Sequence, residues 1–154
     1  MIGLALTPEQ FQTLLRMVYI ANTIANGHRD TDFLGDYDDL EQLVFSRAKD
    51  AGFPAAVQRH KAEGEEHHHP SQLFENDVEL NKILDAYDEQ VMIKLLAEKL
   101  AERDIEDQFG VTAKESMPLP DYDELLEEYT LRYENEFLVN GVLNLTVRSD
   151  TPKA

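Results

Sequence analysis

Apolar residues return at helical spacing in four separate stretches of the chain, and each stretch is bounded by capping or breaking residues. Phe11, Leu14, Leu15, Val18, Ala21 and Ala25, with Tyr19 beside them, predict a first helix. Thr7-Pro8-Glu9-Gln10 supplies an N-cap, a proline at the first helical position and a Gln at capping-box distance. Asn26-Gly27 predicts the stop, with Gly27 in the left-handed conformation just past the helix end. Leu40, Leu43, Val44 and Ala48 predict a second helix over about 38–51, ended by Gly52. A wide stripe from Leu80 through Ile83, Leu84, Tyr87, Val91, Leu95 and Leu100 predicts a long central helix within 71–110. Such width suits contact from two sides. Ser71 and the run Asn76-Asp77-Val78-Glu79 read as caps, and Gly110 as the stop, after a break near Arg103-Asp104. After Pro118 and Pro120, Asp121-Tyr122-Asp123-Glu124 caps a last helix bearing Leu125, Leu126, Tyr129, Tyr133 and Phe137, with Asn140-Gly141 closing it.

Two segments lack this periodicity. Residues 58–70, which include His60 and His67-His68-His69-Pro70, read as an exposed irregular connection after a short turn at Phe53-Pro54. Val142-Leu143-Asn144-Leu145-Thr146-Val147 is β-prone and predicts a short two-stranded ribbon with Ile2–Leu6, joining the termini. Residues 148–154 read as a flexible tail. The expected fold is therefore mostly α: one domain over 1–154, about four helices with a long central one. The expected core includes Phe11, Leu15, Val18, Leu43, Val44 and Leu84. It continues with Tyr87, Val91, Leu95, Tyr129, Tyr133 and Phe137.

Charge changes this picture most. Thirty-one Asp and Glu face 14 Lys and Arg, for a net charge of −17. Residues 1–70 carry 11 acids and 6 bases, while 71–154 carry 20 and 8. Nucleic-acid backbones need Lys or Arg to displace counterions, and anionic membranes repel a field of this sign. Direct nucleic-acid and membrane partners are not expected. A basic protein partner, a cation, or plain solubility remain. There are no cysteines, which excludes disulfides, thiolate metal sites and Cys nucleophiles and fits a reducing cytoplasm. The start, Met1-Ile2-Gly3-Leu4-Ala5-Leu6, lacks the basic region of a signal peptide, and no apolar run is as long as a membrane span. The expected location is cytoplasmic.

The chain resembles a set of small, acidic, uncharacterised bacterial proteins. The resemblance rests on Glu9-Gln10-Phe11 with Leu14-Leu15 and Val18-Tyr19, on Leu100-Ala101-Glu102-Arg103-Asp104 followed by Phe109-Gly110, and on the last helix. It spans most of the chain and implies the helical fold, with no activity attached.

Candidate chemistry lies in two places. Asp30, Asp32, Gly35, Asp36, Asp38 and Glu41 match several positions of an EF-hand loop, with Gly35 at position 6 and Glu41 at position 12. Leu34 stands where position 5 needs an oxygen, and Tyr37 replaces the usual aliphatic at position 8. The other reading is a solvated acidic loop whose Asp36 or Asp38 caps the second helix. His67, His68 and His69, beside Glu65 and Glu66, suit Zn²⁺ or Ni²⁺ by ligand type, but consecutive residues diverge and Gly64 and Pro70 oppose an aligning helix. Weak uptake of divalent cations is expected at both places, with no dedicated cofactor.

Asp85-x-x-Asp88 with Glu89, or Glu124-x-x-Glu127, is the pairing a Mg²⁺-dependent all-helical nucleotide hydrolase would use. It is also the ordinary polar side of an amphipathic helix. Asp121, Asp123, Glu124, Glu127, Glu128, Glu134 and Glu136 face Arg132 alone on the last helix, a pattern that could mimic a phosphate row for a basic protein. The leading expectation is a non-catalytic interaction or accessory protein with an acidic surface.

Overall fold

The computed structural model describes residues 3–62 and 64–146. Among them the chain forms six α-helices, one short 3-10 helix at Pro54–Ala56 and one two-stranded antiparallel sheet, so the mostly α expectation holds. The helices are α1 (Pro8–Asn26), α2 (Gly35–Phe45), α3 (Gln72–Glu75), α4 (Val78–Phe109), α5 (Ala113–Ser116) and α6 (Leu119–Asn140). The strands are β1 (Val57–Ala62) and β2 (Glu65–Pro70). The chain divides into two compact units, Met1–Asp85 and Ala86–Ala154, with the division falling inside α4.

The first unit is built by local rules at its start. Thr7 accepts from the Gln10 amide while the Gln10 side chain accepts from the Thr7 amide, the reciprocal bonds of a capping box. Gly27 departs from expectation. Its φ of −62° is right-handed. The turn after α1 is held instead by Asn26, whose Oδ1 accepts from the Leu34 amide at 2.8 Å and whose Nδ2 donates to the Leu34 carbonyl at 3.1 Å. That clamp lets α2 begin at Gly35, three residues earlier than predicted, and α2 ends at Phe45 rather than near 51.

Residues 57–70 form a hairpin, contrary to the irregular connection expected. Val57 pairs with Pro70, Arg59 with His68 and His60 with His67. Gly64, at φ +91°, supplies the left-handed turn residue that a tight connection requires. The strand period was illegible because both faces are polar; the hairpin is placed by packing of β2 on α2. Ser71 then caps α3, accepting from the Phe74 amide at 3.2 Å.

The core of the first unit gathers Leu15, Phe45, Ala48, Phe74 and Leu80. Phe11, Val18, Val44 and Leu84 pack against it as expected. Leu43 does not: it is 56% exposed, and Leu40 is exposed too. On α2 the buried residues are Glu41 and Phe45, each one position on from Leu40 and Val44 of the predicted stripe, while Ala48 of that stripe is buried as expected in the turn that follows. Asp77 closes the unit by capping α4. Its Oδ1 accepts from the Leu80 amide and from Arg16 Nη2, both at 2.9 Å. Asp77→Ala removes both bonds and is expected to cost about 1–2 kcal/mol in urea denaturation, whereas Asp77→Asn, which keeps a capping oxygen, should lose less than half of that. Equal losses would show that the ion pair, and not the cap, carries the effect.

The second unit centres on Ile105, Ala113 and Tyr122, with Leu125, Leu126 and Tyr129 against them. Ala97, Ala101 and Phe137 are also buried. Leu95 (54% exposed) and Tyr87 are exposed, contrary to the predicted core: the buried stripe of α4 in this unit runs along Ala97, Ala101 and Ile105, and Leu95 lies off it. Gly110 ends α4 as expected, at φ +96°, but α4 runs unbroken through Arg103 and Asp104, where a break was expected. Asp104 anchors α4 to α6. It accepts from the Tyr133 hydroxyl, from Arg103 Nη2 at 2.6 Å and from Arg132 Nη2 at 3.1 Å.

No ribbon joins the ends among the described residues. Residues 3–6 and 142–146 carry no strand, because the chain after α6 curls into turns: the Leu143 amide donates to the Asn140 carbonyl, and Asn144 donates to Glu136 at 2.6 Å. Ile2, Val147 and the tail at 148–154 lie outside the described residues.

Candidate functional site

The first unit holds an open cleft of about 430 Å³ where α1, α2, β2 and α3 meet. α1 contributes Tyr19, Asn22, Thr23 and Asn26 to its lining. Phe33 comes from the loop, Glu41 from α2, His69 from β2 and Glu75 from α3. These polar groups are there because α1 carries Asn22 and Asn26 at i and i+4 on the side it turns toward α2. Asn26 Nδ2 donates to Asn22 Oδ1 at 2.7 Å, and Asn22 Nδ2 donates to Glu41 Oε2 at 3.1 Å. An amide relay thus runs from the Leu34 backbone through two asparagines to one carboxylate.

Glu41 is 4% exposed. Burial pushes its pKa up to about 7; the nearby carboxylates of Asp38 and Glu75 push the same way, against the Asn22 hydrogen bond. Tyr19 is shifted upward too, by burial first and then by Glu75 and Glu41. A second relay lies alongside. His67 Nδ1 donates to Gln42 Oε1 at 3.0 Å, and Gln42 Nε2 donates to Asp38 Oδ2 at 2.7 Å. His67 and His69 share one face of β2 with rings stacked 6.1 Å apart, and His68 alternates to the other face.

The sequence-level candidates are therefore divided. Asp30 and Asp32 stay in the exposed turn between α1 and α2, with Asp32 at φ +58°. Gly35, Asp36, Asp38 and Glu41 are all helical, so the twelve residues do not form one continuous loop. Glu41 and His69, drawn from two different candidate sets, line the same cleft. Among the described residues no three His, Asp or Glu side chains are grouped so that they could hold a metal ion. Asp85, Asp88, Glu124 and Glu127 are exposed. Asn22 and Glu75 do not stand out as site residues in the linear sequence, and Asn26 reads there only as a helix stop. The signal was available for the asparagines: both continue the stripe of Leu15 and Val18, where an apolar residue belongs.

The second unit carries a groove along α4 and α6. One part, about 440 Å³, sets Leu126 and Leu131 among Glu98, Asp123, Glu127 and Glu134. The other, about 400 Å³, includes Ile93, Phe137 and Leu138 with Glu89, Lys94 and again Glu134. Lys94 is the one cationic side chain along either part. Arg132, the lone base of α6, is committed elsewhere: it pairs with Asp104 and lies over the Tyr129 ring at 4.9 Å. That leaves Lys94 as the one cation against the five carboxylates of the groove lining.

Compared with protein-family models, curated proteins and solved structures, the chain matches none. No helix among the described residues is long and apolar enough to cross a membrane.

Proposed function

We propose that the protein is a non-catalytic accessory protein that binds a basic, amphipathic helical segment of a partner protein along the α4/α6 groove. The supporting observation is the lining of that groove, apolar residues among five carboxylates and one ammonium. An amphipathic helix offers apolar anchors at i, i+3, i+4 and i+7, which suits Leu126, Leu131 and Leu138. Lys and Arg on its flanks meet Glu89, Glu98, Asp123, Glu127 and Glu134. Such complementarity raises the association rate and rejects acidic partners. A second copy of this chain fits poorly, since it brings acids against acids. The cytoplasmic location expected from composition is the compartment of this reading.

The test is fluorescence anisotropy with a labelled Leu/Lys amphipathic peptide and a Leu/Glu peptide of the same pattern. The Lys peptide is expected to bind saturably and more weakly with added salt. The double variant Glu127→Lys/Glu134→Lys should weaken it at least about tenfold. Glu115→Lys/Asp36→Lys, which alters charge equally but outside the groove, should weaken it less than about threefold. Equal loss in both double variants would reduce the binding to net charge and overturn the groove as the site.

A further inference from the structure

We propose that the cleft of the first unit is a binding site for a small organic cation, a primary ammonium or guanidinium on a short apolar chain, with Glu41 as its counter-ion. Buried carboxylates in folded proteins are normally paired with a cation or held by several donors. Glu41 has neither. Asn22 reaches Oε2, no protein donor among the described residues reaches Oε1, and no Lys or Arg lines the cleft. The carboxylate is nonetheless at the wall of an open space, beside a second carboxylate, Glu75. A cation entering there restores the missing partner.

The same walls decide which cation. A bare divalent ion needs several oxygens or imidazoles converging at short distance, and no such group is present among the described residues. An ammonium or guanidinium needs less: one or two carboxylates at hydrogen-bond range and a surface for its carbon chain. Tyr19 and Phe33 on the lining supply that surface. The volume, about 430 Å³, falls in the range of small-molecule sites. The Asn26–Asn22 relay holds the Glu41 oxygen in place before binding, so little order has to be gained on association. This inference is independent of the α4/α6 groove.

A cation favours the ionised form of Glu41, so affinity should rise with pH. The other titratable groups facing Glu41 are Tyr19 on α1, Asp38 on its own helix, His69 on β2 and Glu75 on α3. Glu41→Gln separates its share from theirs.

Isothermal titration of the full chain with n-butylammonium and with n-propylguanidinium tests the site, with n-butanol and Ca²⁺ as comparison ligands. One cation per chain is expected, with affinity rising on the order of tenfold from pH 6 to pH 8 as the carboxylate ionises. Glu41→Gln should lower affinity at pH 8 at least about tenfold and flatten the pH profile. Phe33→Ala should weaken binding and leave the pH profile intact. Any of four outcomes overturns the proposal: n-butanol binding as well as n-butylammonium, unchanged cation binding in Glu41→Gln, stoichiometric Glu41-dependent uptake of Ca²⁺ instead, or no saturable heat with either organic cation up to about 10 mM.

Discussion

Phe45→Ala is expected to destabilise the first unit by about 3–5 kcal/mol, the cost of deleting a fully buried ring and leaving its cavity. Phe45 is 0% exposed and meets Phe74 edge-on, with ring centroids 5.1 Å apart. Phe74 in turn meets Tyr19 edge-on at 5.7 Å, so the loss passes through the aromatic cluster that joins α1, α2 and α3. One comparison sharpens the expectation. Leu43→Ala, at the exposed position that the apolar pattern alone places in the core, should cost less than about 1 kcal/mol. Urea denaturation followed by circular dichroism and tyrosine fluorescence measures both. Comparable losses at positions 43 and 45 would mean that α2 is rotated from the face described.

Glu41→Gln is expected to stabilise the protein, by an amount that grows as pH rises above about 4.5 and is full above about pH 7. The folded chain holds the Glu41 proton up to about pH 7, against an ordinary value of 4.5. The folded state therefore binds this proton more tightly than the unfolded state does. Stability falls as pH rises from about 4.5 to about 7, and the penalty is fully present above that. A shift of this size corresponds to at most about 3 kcal/mol, less whatever solvent at the open side of the carboxylate screens. Glutamine keeps an oxygen for the Asn22 amide and carries no charge. The variant should gain on the order of 1–3 kcal/mol at pH 8, and the gain should vanish near pH 4.5. Chemical denaturation at pH 5, 6, 7 and 8 reads this out. A variant with the same pH slope as the natural chain would show that Glu41 titrates as an ordinary solvated carboxylate.

The two residues make the same point about what a linear pattern can show. An apolar stripe is read from residue type, so Leu40 and Leu43 look like core, and Glu41 looks like solvent or a metal ligand. The face that α2 buries is chosen by α1 and α3, and it selects Glu41, Phe45 and Ala48. Asn22 and Asn26 were hidden for the same reason. A polar residue on an apolar stripe is anomalous locally, and its partner becomes visible only when α2 is laid against α1. The groove of the second unit was half legible. The acids of α6 stand out in the sequence, but Arg132 looks like their neutraliser until its side chain is seen turned to Asp104 and Tyr129.

Helix existence was written into the sequence itself: the capping box at Thr7 and Gln10, the Asp77 cap, the stop at Gly110 and the 3.6-residue period of α1, α4 and α6. These are interactions within one or two turns, so neighbouring residues suffice to specify them. The hairpin at 57–70, the rotation of α2 and the burial of Glu41 were decided by tertiary structure. Strand pairing of polar residues carries no period against which to read it, and which face of a short amphipathic helix is buried depends on the shape of what it meets. The charge of −17 belongs to the sequence. Where that charge is left unpaired, in a cleft beside Asn22 or along α4 and α6, follows from the side chains that folding brings next to it.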